Sequence, residues 1–319
     1  MRIRPYPSNY KAFLLKAAGM LAVLVSTVLQ FSCSDKDTGG NEVFVTTDWL
    51  DGHRNDSSLV ILTVGDRATY DSIHIPGARW MYLWDLVVDT DSLTNEVPAI
   101  GVIDSLLEDE GISEDSRIVL YYEGFKRIPR TCRVFMTLDY AGLGDRTSIL
   151  SGGLGKWVDE GRETTAEPPS EQARGSLNLK ENSTILTTAY DVQQFASDPD
   201  YVVLDARPGE FYTGEYDSIL EMYTGGHIEG ALNLPFEDFL NDTVPHLLKD
   251  RETIRELFAG LGADQGKTIV NYCTTGIWAS VDYVMARWLG YSTLLYDGSF
   301  EDWEHLGLPV TKPVKDRTD

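Results

Sequence analysis

The chain repeats itself, and this repeat limits the folds open to its 319 residues more than any other feature. Five short segments of the first half return in the second half, in the same order and roughly 150 residues later. The paired segments are 45–47 with 186–188, 74–78 with 227–231, 118–122 with 269–273, 140–142 with 288–290, and Gly152-Gly153 and Trp157 with Gly298-Ser299 and Trp303. A repeat of this length corresponds to a whole domain, and the chain is long enough for two domains that each bury a core. The sequence therefore predicts two similar domains.

Strands alternate with helices in the second half. Short apolar runs at 201–204 and 268–272 indicate buried strands, and apolar residues recur at helical spacing in 250–261 and 277–289. This alternation is typical of parallel sheets covered by helices, so the predicted fold class is α/β. The polar stretch 163–181, which contains Pro168-Pro169, is predicted to link a first domain at 43–162 to a second at 182–319.

The first 32 residues have the pattern of an export signal. Four Lys and Arg residues accompany an apolar run at 18–29, and no acidic residue occurs before Asp35. The run is shorter than the roughly 20 residues of a membrane-spanning helix, so it indicates a signal peptide at 1–32. Residues 29–33 resemble a bacterial lipobox, which implies cleavage before Cys33, lipidation of its thiol and a tether at 33–42. An ordinary signal peptide or an uncleaved anchor is the alternative.

The chain is strongly acidic. Its formal net charge of −23 becomes −27 when residues 1–32 are removed, because that segment carries four positive charges and no negative ones. A field of this sign repels nucleic acid and anionic membrane surfaces. We therefore expect no nucleic-acid partner and contact with a membrane only through a lipid anchor. The predicted location is the cell envelope, at the periplasmic face of the outer membrane or at the cell surface.

Cys273 is the candidate nucleophile. It follows the predicted strand 268–272 and opens the loop Cys273-Thr274-Thr275-Gly276-Ile277-Trp278 before a helix. Backbone N–H groups at a helix N-terminus stabilise a thiolate, and Gly276 lets the loop turn sharply. Ligands of open α/β sheets bind beyond the carboxyl ends of the strands, where this loop lies. By itself, the loop is equally compatible with an inert buried cysteine.

Several segments of the chain form a pattern when taken together. They are the His-Ile-x-Gly-Ala elements at 74–78 and 227–231, Asp205-Ala206-Arg207 with Phe211, 272–276 with Ala279-Ser280, and 296–300 with Trp303. In this combination they resemble the tandem-domain rhodaneses, a family that includes thiosulfate and 3-mercaptopyruvate sulfurtransferases. The resemblance covers almost everything after Glu42 and implies two rhodanese-like domains, each a parallel sheet flanked by helices. It also implies that Cys273 accepts a sulfane sulfur as a persulfide and passes it to cyanide or a thiol. We expect Asp205 and Arg207 to pair beneath the loop rather than bind substrate.

The first domain lacks these chemical groups. Tyr122 occupies the place of Cys273, the loop after it is about three residues longer, and residues 63–65 replace the Asp-x-Arg element. The resemblance therefore implies a catalytically silent domain that packs against the active one and walls the cleft. We expect Cys132, in the helix after that loop, to be a buried small apolar residue that forms no disulfide with Cys273.

The residues after Cys273 depart from the thiosulfate-using pattern. Thr274 and Thr275 stand where those family members carry cations, and Trp278 makes the rim of the site more apolar. The donor is thus open between thiosulfate and a mercaptopyruvate-like compound. Three cations of the first-domain loop either reach across the cleft and supply the positive charge that is missing after Cys273, or form a solvated basic turn. These cations are Lys126, Arg127 and Arg130.

Three other functions fit parts of the sequence. A cysteine phosphatase of the same fold needs an arginine six residues after the cysteine, and that place is Ala279, which argues against phosphatase activity. A non-catalytic rhodanese-like binding module describes the first half better than the second. A persulfide carrier for a partner protein fits the same residues as a free-standing enzyme.

The histidines are scattered, so no metal site and no cofactor are predicted. His74 and His227 belong to the repeated turn and are expected to be structural, with a proton relay at His74 as the alternative. The expected partners are a small sulfur donor, a nucleophilic or thiol acceptor, and a thioredoxin-like reductant.

Overall fold

The computed structural model describes residues 42–216, 218–219, 223–242, 247–264 and 266–312. The predicted signal peptide, Cys33 and residues 33–41 of the predicted tether lie outside this part of the chain. The described residues belong to one compact unit. Among the residues described, no helix is both long and apolar enough to cross a bilayer.

The first domain is a five-stranded parallel sheet covered by helices. In chain order its elements are β1 (Phe44–Val45), α1 (Thr47–His53), β2 (Leu59–Thr63), α2 (Arg67–Ser72), β3 (Arg79–Trp80), α3 (Ile100–Asp109), β4 (Arg117–Tyr121), α4 (Ile128–Tyr140), β5 (Thr147–Leu150) and α5 (Gly153–Asp159). The strands lie in the order β1-β5-β4-β2-β3, and all neighbours are parallel.

The second domain repeats this arrangement. Its elements are β6 (Leu186–Thr187), α6 (Ala189–Phe195), β7 (Tyr201–Asp205), α7 (Gly209–Tyr212), β8 (Ser218–Ile219), β9 (Tyr223–Thr224), β10 (Leu232–Asn233), α8 (Arg251–Gly260), β11 (Thr268–Tyr272), α9 (Ala279–Leu289), β12 (Ser292–Tyr296) and α10 (Ser299–His305). The order β6-β12-β11-β7-β10 matches that of the first sheet, and a small antiparallel hairpin of β8 and β9 is added.

The predicted α/β fold with two similar domains is confirmed. The strand predicted at 268–272 coincides with β11, and the one at 201–204 is β7 without its last residue. The predicted helix 250–261 exceeds α8 by one residue at each end, whereas α9 begins two residues later than predicted. The loop that Cys273 opens therefore extends through Trp278.

The strands are buried on both faces, as is usual for parallel sheets. In β4, Ile118 and Leu120 contribute to one core cluster, and Val119 and Tyr121 contribute to another on the opposite face. The first of these clusters contains buried residues of both α4 and α9, so the two domains share a core through these helices.

Polar contacts strengthen this shared interface. The Tyr283 hydroxyl of α9 donates to Asp139 Oδ2 of α4 at 2.6 Å. Arg287 Nη1 lies 3.1 Å from the same oxygen, and its Nη2 lies 2.9 Å from Asp145 Oδ1. Arg287 thus joins the C-terminal half of α9 to the end of α4 and to the segment that follows α4.

The repeated histidine turn has the same geometry in both domains. The Nδ1 atoms of His74 and His227 lie 2.7 and 2.8 Å from the carbonyl oxygens of Tyr70 and Tyr212, and each imidazole stacks on that tyrosine ring. His74 Nε2 also lies 3.1 Å from the carbonyl oxygen of Glu167. Both ring nitrogens of the buried His74 are thus engaged with backbone, which is a structural role.

Candidate active site

Cys273 lies at the carboxyl end of β11, in the loop that leads into α9. Only 2% of the residue is exposed. Burial raises the pKa of its thiol, while hydrogen bonding from the backbone N–H groups of Ala279, Thr275 and Trp278 lowers it; the net shift is upward. The groups that favour the thiolate are thus amides of its own loop and of the first residue of α9.

Ser299 supports the loop from below. Its Oγ accepts hydrogen bonds from the backbone N–H groups of Cys273 at 3.2 Å and Gly276 at 3.1 Å, and it donates to the carbonyl oxygen of Tyr296 at 2.8 Å. Its φ of 52° places a non-glycine residue in the left-handed region. The backbone of Phe300 and the carbonyl oxygen of Cys273 form a further hydrogen bond of 3.1 Å. The start of α10 thus fixes the backbone on both sides of the thiol.

Gly276 is required by both conformation and space. Its φ is +79°, and a Cβ built on it would lie 2.8 Å from Arg133 Nη1 and 2.8 Å from Asp297 Oδ1. Arg133 belongs to α4 of the first domain and is fully buried. Its guanidinium binds both carboxylate oxygens of Asp297, with Nη2 3.2 Å from Oδ2, and also donates to the carbonyl oxygen of Asn95 at 2.5 Å.

A first-domain segment at 94–97 contacts the same loop. The Asn95 side-chain amide donates to Thr275 Oγ1 at 3.0 Å, and the Val97 N–H donates to Asp297 Oδ2 at 2.8 Å. The backbone N–H and hydroxyl of Thr94 donate to Glu301 Oε2 at 2.7 and 2.9 Å. The first domain therefore makes direct polar contacts with the Cys273 loop and with its support.

Asp205 and Arg207 form a buried ion pair beside the loop. Arg207 Nε lies 2.9 Å from Asp205 Oδ1, and Nη2 lies 2.5 Å from Oδ2. The same guanidinium donates to the Gly226 carbonyl at 2.6 Å and lies 3.9 Å from the ring centroid of Phe300. Burial lowers the pKa of Arg207, but the charge and hydrogen bonds of Asp205 outweigh burial and raise it, so the guanidinium remains charged. The pair fastens β7 to the hairpin region and to α10.

In the first domain, different side chains occupy the position that corresponds to Cys273 and Ser299. A Cβ built on Gly153 would lie 2.3 Å from the carbonyl oxygen of Tyr122 and 2.7 Å from its ring. The Tyr122 hydroxyl accepts a hydrogen bond of 3.1 Å from the Gly152 N–H. The pair Tyr122 and Gly153 thus stands where the second domain has the pair Cys273 and Ser299. In the first domain the buried tyrosine ring fills the space that the serine side chain takes in the second.

The remaining candidate residues lie around this centre. Thr274 is buried, and its hydroxyl has no hydrogen-bond partner among the residues that the structure describes. Ile277 and Trp278 are half-buried, and the Trp278 ring lies 6.3 Å from that of Phe236. Cys132 is a buried free thiol in α4, as predicted, and Cys273 is also free.

Two of the three first-domain cations lie over aromatic rings of their own domain. The Arg130 guanidinium lies 5.7 Å from the Trp84 ring, and Lys126 lies 6.0 Å from that of Phe125. Burial raises the pKa of Glu123, and the nearby Arg127 charge opposes that rise. In the part of the chain with assigned positions, no hydrogen bond or ion pair joins these cations to the Cys273 loop.

A cleft of about 580 Å³ lies elsewhere in the first domain, between α2, β3 and the linker. Arg67, His74, Arg79 and Trp80 line it together with carboxylates such as Glu110. No cysteine lines this cleft, and none of its lining residues belongs to the Cys273 loop. Chemistry rather than cavity size therefore identifies the candidate site.

Sequence reasoning did not identify the residues that hold the loop: Asn95, Arg133, Asp297, Ser299 and Glu301. Asp297 and Ser299 had a signal, since both lie in the segment 296–300 that carries the family resemblance and the repeat pairs Gly298-Ser299 with Gly152-Gly153. Arg133 had a weaker one, because an arginine within the apolar face of a helix needs a buried partner.

A family model for the rhodanese-like domain matches the chain twice, at residues 46–160 and 188–306. The chain belongs to the rhodanese-like family. Each match contains four of the five strands of one sheet, all but β1 in the first and all but β6 in the second, and the second match contains Cys273 and its loop.

Similar proteins have names that concern sulfur. The sulfur carrier protein TtuD of Thermus thermophilus is 33% identical over 288 residues, which are 85% of this chain and 97% of that protein. A 3-mercaptopyruvate sulfurtransferase of Escherichia coli is 28% identical over 284 residues, 85% of this chain and 98% of that protein. A thiosulfate sulfurtransferase of Gallus gallus is 29% identical over 251 residues, 77% of this chain and 83% of that protein.

Solved structures share the fold. The crystal structure of SseA from Escherichia coli, described as a 3-mercaptopyruvate sulfotransferase, superposes with a TM-score of 0.70 at 26% identity and covers 81% of this chain and 98% of that one. The structure of EanB superposes with a TM-score of 0.74 at 20% identity and covers 85% of this chain and 69% of that one. At that identity, the second likeness concerns the fold alone.

Proposed function

We propose that the protein is a sulfurtransferase in which Cys273 carries the transferred sulfur as a persulfide. The observation that carries this proposal is the position of a buried thiol among three backbone N–H groups, at the carboxyl end of β11 and the start of α9. Such amides stabilise negative charge on sulfur and remain available when the charge moves to a second sulfur atom.

The reaction has two steps. In the first, the Cys273 thiolate attacks the sulfane sulfur of a donor, a new S–S bond forms, and the donor bond to that sulfur breaks with its electron pair leaving on the remainder. Thiosulfate would release sulfite, and a mercaptopyruvate-like donor would release an enolate that takes up the thiol proton to give the keto acid. In the second step, cyanide or a thiolate attacks the outer sulfur and restores the Cys273 thiolate.

A mercaptopyruvate-like donor fits the surroundings of Cys273 better than thiosulfate. Thr274 and Thr275 offer hydroxyls and no charge, and the two arginines near the loop, Arg133 and Arg207, are already bound to Asp297 and Asp205. A dianionic sulfonate would find no uncommitted cation among these residues, whereas a monoanionic keto acid needs less compensation.

A persulfide carrier that passes sulfur to a partner protein is the second candidate. The sulfur carrier protein TtuD, 33% identical to this chain, favours it. The two functions differ in the acceptor: an enzyme of small molecules would turn over with cyanide or a small thiol, whereas a carrier would retain its persulfide until a protein thiol is supplied. A thioredoxin-like reductant is the first protein acceptor to test.

Intact mass spectrometry tests the proposal. We expect the purified chain to gain one sulfur atom on exposure to 3-mercaptopyruvate or thiosulfate and to lose it on addition of cyanide or a thiol. Cys273→Ser should gain none, and Cys132→Ser, the matched control on the other thiol of the described chain, should gain sulfur like the wild type. Absence of any gain with both donors would instead favour a non-catalytic binding module.

Export and lipidation form a separate part of the proposal, supported by the sequence of residues 1–33. We expect the mature chain to begin at Cys33, to carry lipid on that thiol and to reside in the cell envelope. Metabolic labelling with a fatty acid should label the wild type and leave Cys33→Ser unlabelled. Equal labelling of both chains, or none of either, would contradict lipidation at this residue.

A further inference from the structure

The silent domain binds the second and third residues that follow Cys273. Asn95 holds the Thr275 side chain at 3.0 Å, and the Arg133–Asp297 pair lies against the Cα of Gly276, where a methyl group would be 2.8 Å from each partner. We call Asn95, Arg133 and Asp297 the interdomain clamp. The Asp297 carboxylate accepts hydrogen bonds from the first domain, two from Arg133 and one from Val97.

The interdomain clamp is linked to the thiol through short paths. Thr275 supplies one of the three N–H groups that act on the thiol of Cys273. Gly276 donates its N–H to Ser299 Oγ, and this oxygen also accepts the N–H of Cys273. Ser299 follows Asp297 by two residues, so the side chain that binds Arg133 and the side chain that supports the loop belong to one short turn.

Adhesion between the domains does not require this arrangement. The helices α4 and α9 already share a buried core. Near their other ends, Arg287 of α9 forms an ion pair of 3.1 Å with Asp139 of α4 and one of 2.9 Å with Asp145, which follows α4 in the first domain. A fully buried ion pair contributes little net stability, because desolvation offsets most of the attraction. What a bidentate arginine fork does supply is fixed geometry.

We propose that the first domain is the positioning element of the active site: the interdomain clamp holds Thr275 and Gly276 so that the loop amides point at Cys273. The reactivity of the second-domain thiol then depends on docking of the first domain. Asn95 and Arg133 are positioning residues that act through the loop and do not touch the reacting sulfur. The inference rests on the proposed sulfur transfer for its biological purpose, but thiol reactivity can be measured without any sulfur donor.

The physical reason is the steep angular dependence of hydrogen bonds. An N–H group favours the thiolate only while it is directed at the sulfur, and the interaction weakens as the loop turns away. Release of the interdomain clamp should therefore raise the pKa of the Cys273 thiol, whereas a change in accessibility alone would alter the maximal reaction rate at high pH and leave the midpoint in place.

The test measures the rate of Cys273 alkylation by iodoacetamide as a function of pH, with the modified peptide quantified by mass spectrometry so that Cys132 does not contribute. The variants are Arg133→Met/Asp297→Asn, which removes both charges together, and Asn95→Gly, which keeps the left-handed backbone at φ 65° and removes only the contact with Thr275. Arg287→Met is the matched control, because it removes an interdomain ion pair that does not contact the loop.

We expect the midpoint to rise by about one pH unit in the double variant, a tenfold loss of thiolate below the midpoint, and by a smaller amount in Asn95→Gly. Arg287→Met should keep the midpoint of the wild type. If the double variant fails to fold, Asn95→Gly decides alone. Wild-type midpoints in both clamp variants, or the same shift in Arg287→Met, would overturn the inference.

The outcome is separate from that of the proposed function. Failure of the wild type to acquire sulfur from any donor, together with shifted midpoints in the clamp variants, would refute sulfur transfer and leave the positioning role intact. Normal sulfur transfer with unshifted midpoints would refute the positioning role alone.

Discussion

Removal of the Ser299 hydroxyl is the most direct perturbation of the Cys273 loop. Its oxygen is the acceptor for two buried N–H groups, those of Cys273 at 3.2 Å and Gly276 at 3.1 Å. A buried donor left without a partner costs about 1–3 kcal/mol, so Ser299→Ala should lower the free energy of unfolding by about 2–6 kcal/mol. Because both distances are at the long end of the normal range, we expect the lower half of this interval.

Ser280→Ala, in the first turn of α9, is the matched control because its hydroxyl also binds the loop. The Ser280 hydroxyl donates to the Gly276 carbonyl at 2.8 Å, but that carbonyl keeps a second hydrogen bond from the Ser280 N–H at 3.2 Å. No buried group loses its last partner, so the expected cost is about 1 kcal/mol. The difference between the two variants isolates the support that Ser299 provides.

Urea denaturation followed by tryptophan fluorescence measures the midpoint of unfolding, and hydrogen exchange of the peptide spanning 270–280 reports the two amides directly. Ser299→Ala should shift the midpoint further than Ser280→Ala and accelerate exchange at Cys273 and Gly276. Equal midpoints in the two variants, with unchanged exchange, would refute the assignment of Ser299 as the support of the loop.

Two further perturbations test other buried groups. Arg207→Met should lower the free energy of unfolding by about 3–5 kcal/mol, because it leaves the Asp205 carboxylate buried without its cation. In urea denaturation, the double variant Asp205→Asn/Arg207→Met should recover most of this loss. No recovery would mean that the loss does not come from the ion pair. Glu96 has a pKa raised from 4.5 to about 8 by burial and then by the charge of Asp297, so the folded state favours its protonated form. The stability that Glu96 contributes is present below pH 4.5 and is lost as the pH rises through about 8. Glu96→Gln should therefore flatten the pH dependence of the urea midpoint between these two values. An unchanged slope would contradict the raised pKa of Glu96.

Much of the fold follows from local sequence. The strand at 268–272 is predicted at its observed bounds because four of its five residues are β-branched or aromatic and a cysteine and a turn follow it. The helix after it is predicted two residues too early, since Ile277 and Trp278 extend the apolar pattern of α9 although they belong to the loop. Periodicity locates apolar faces and does not identify the residue at which helical hydrogen bonding begins.

The candidate site was predictable only in part. Cys273, its loop and the Asp205–Arg207 element lie close together in sequence or in a family pattern, and their places could be inferred. Arg133 is 164 residues from Asp297, and Asn95 is 180 residues from Thr275. Such contacts depend on how two domains dock, and no local propensity or spacing encodes that.

Cys273 and Ser299 in the second domain fill the same space as Tyr122 and Gly153 in the first. The members of the two pairs cannot be combined, because each residue fits only its own partner. Restoring a cysteine at Tyr122 would leave the volume of an aromatic ring unfilled and take the hydroxyl from the Gly152 N–H, while Gly153 would still provide no oxygen for the loop amides. Introducing serine at Gly153 first would drive its Cβ against the tyrosine ring. Each single substitution thus loses packing or hydrogen bonding that the other position provides, so substitutions at residues 122 and 153 should have strongly non-additive effects on stability.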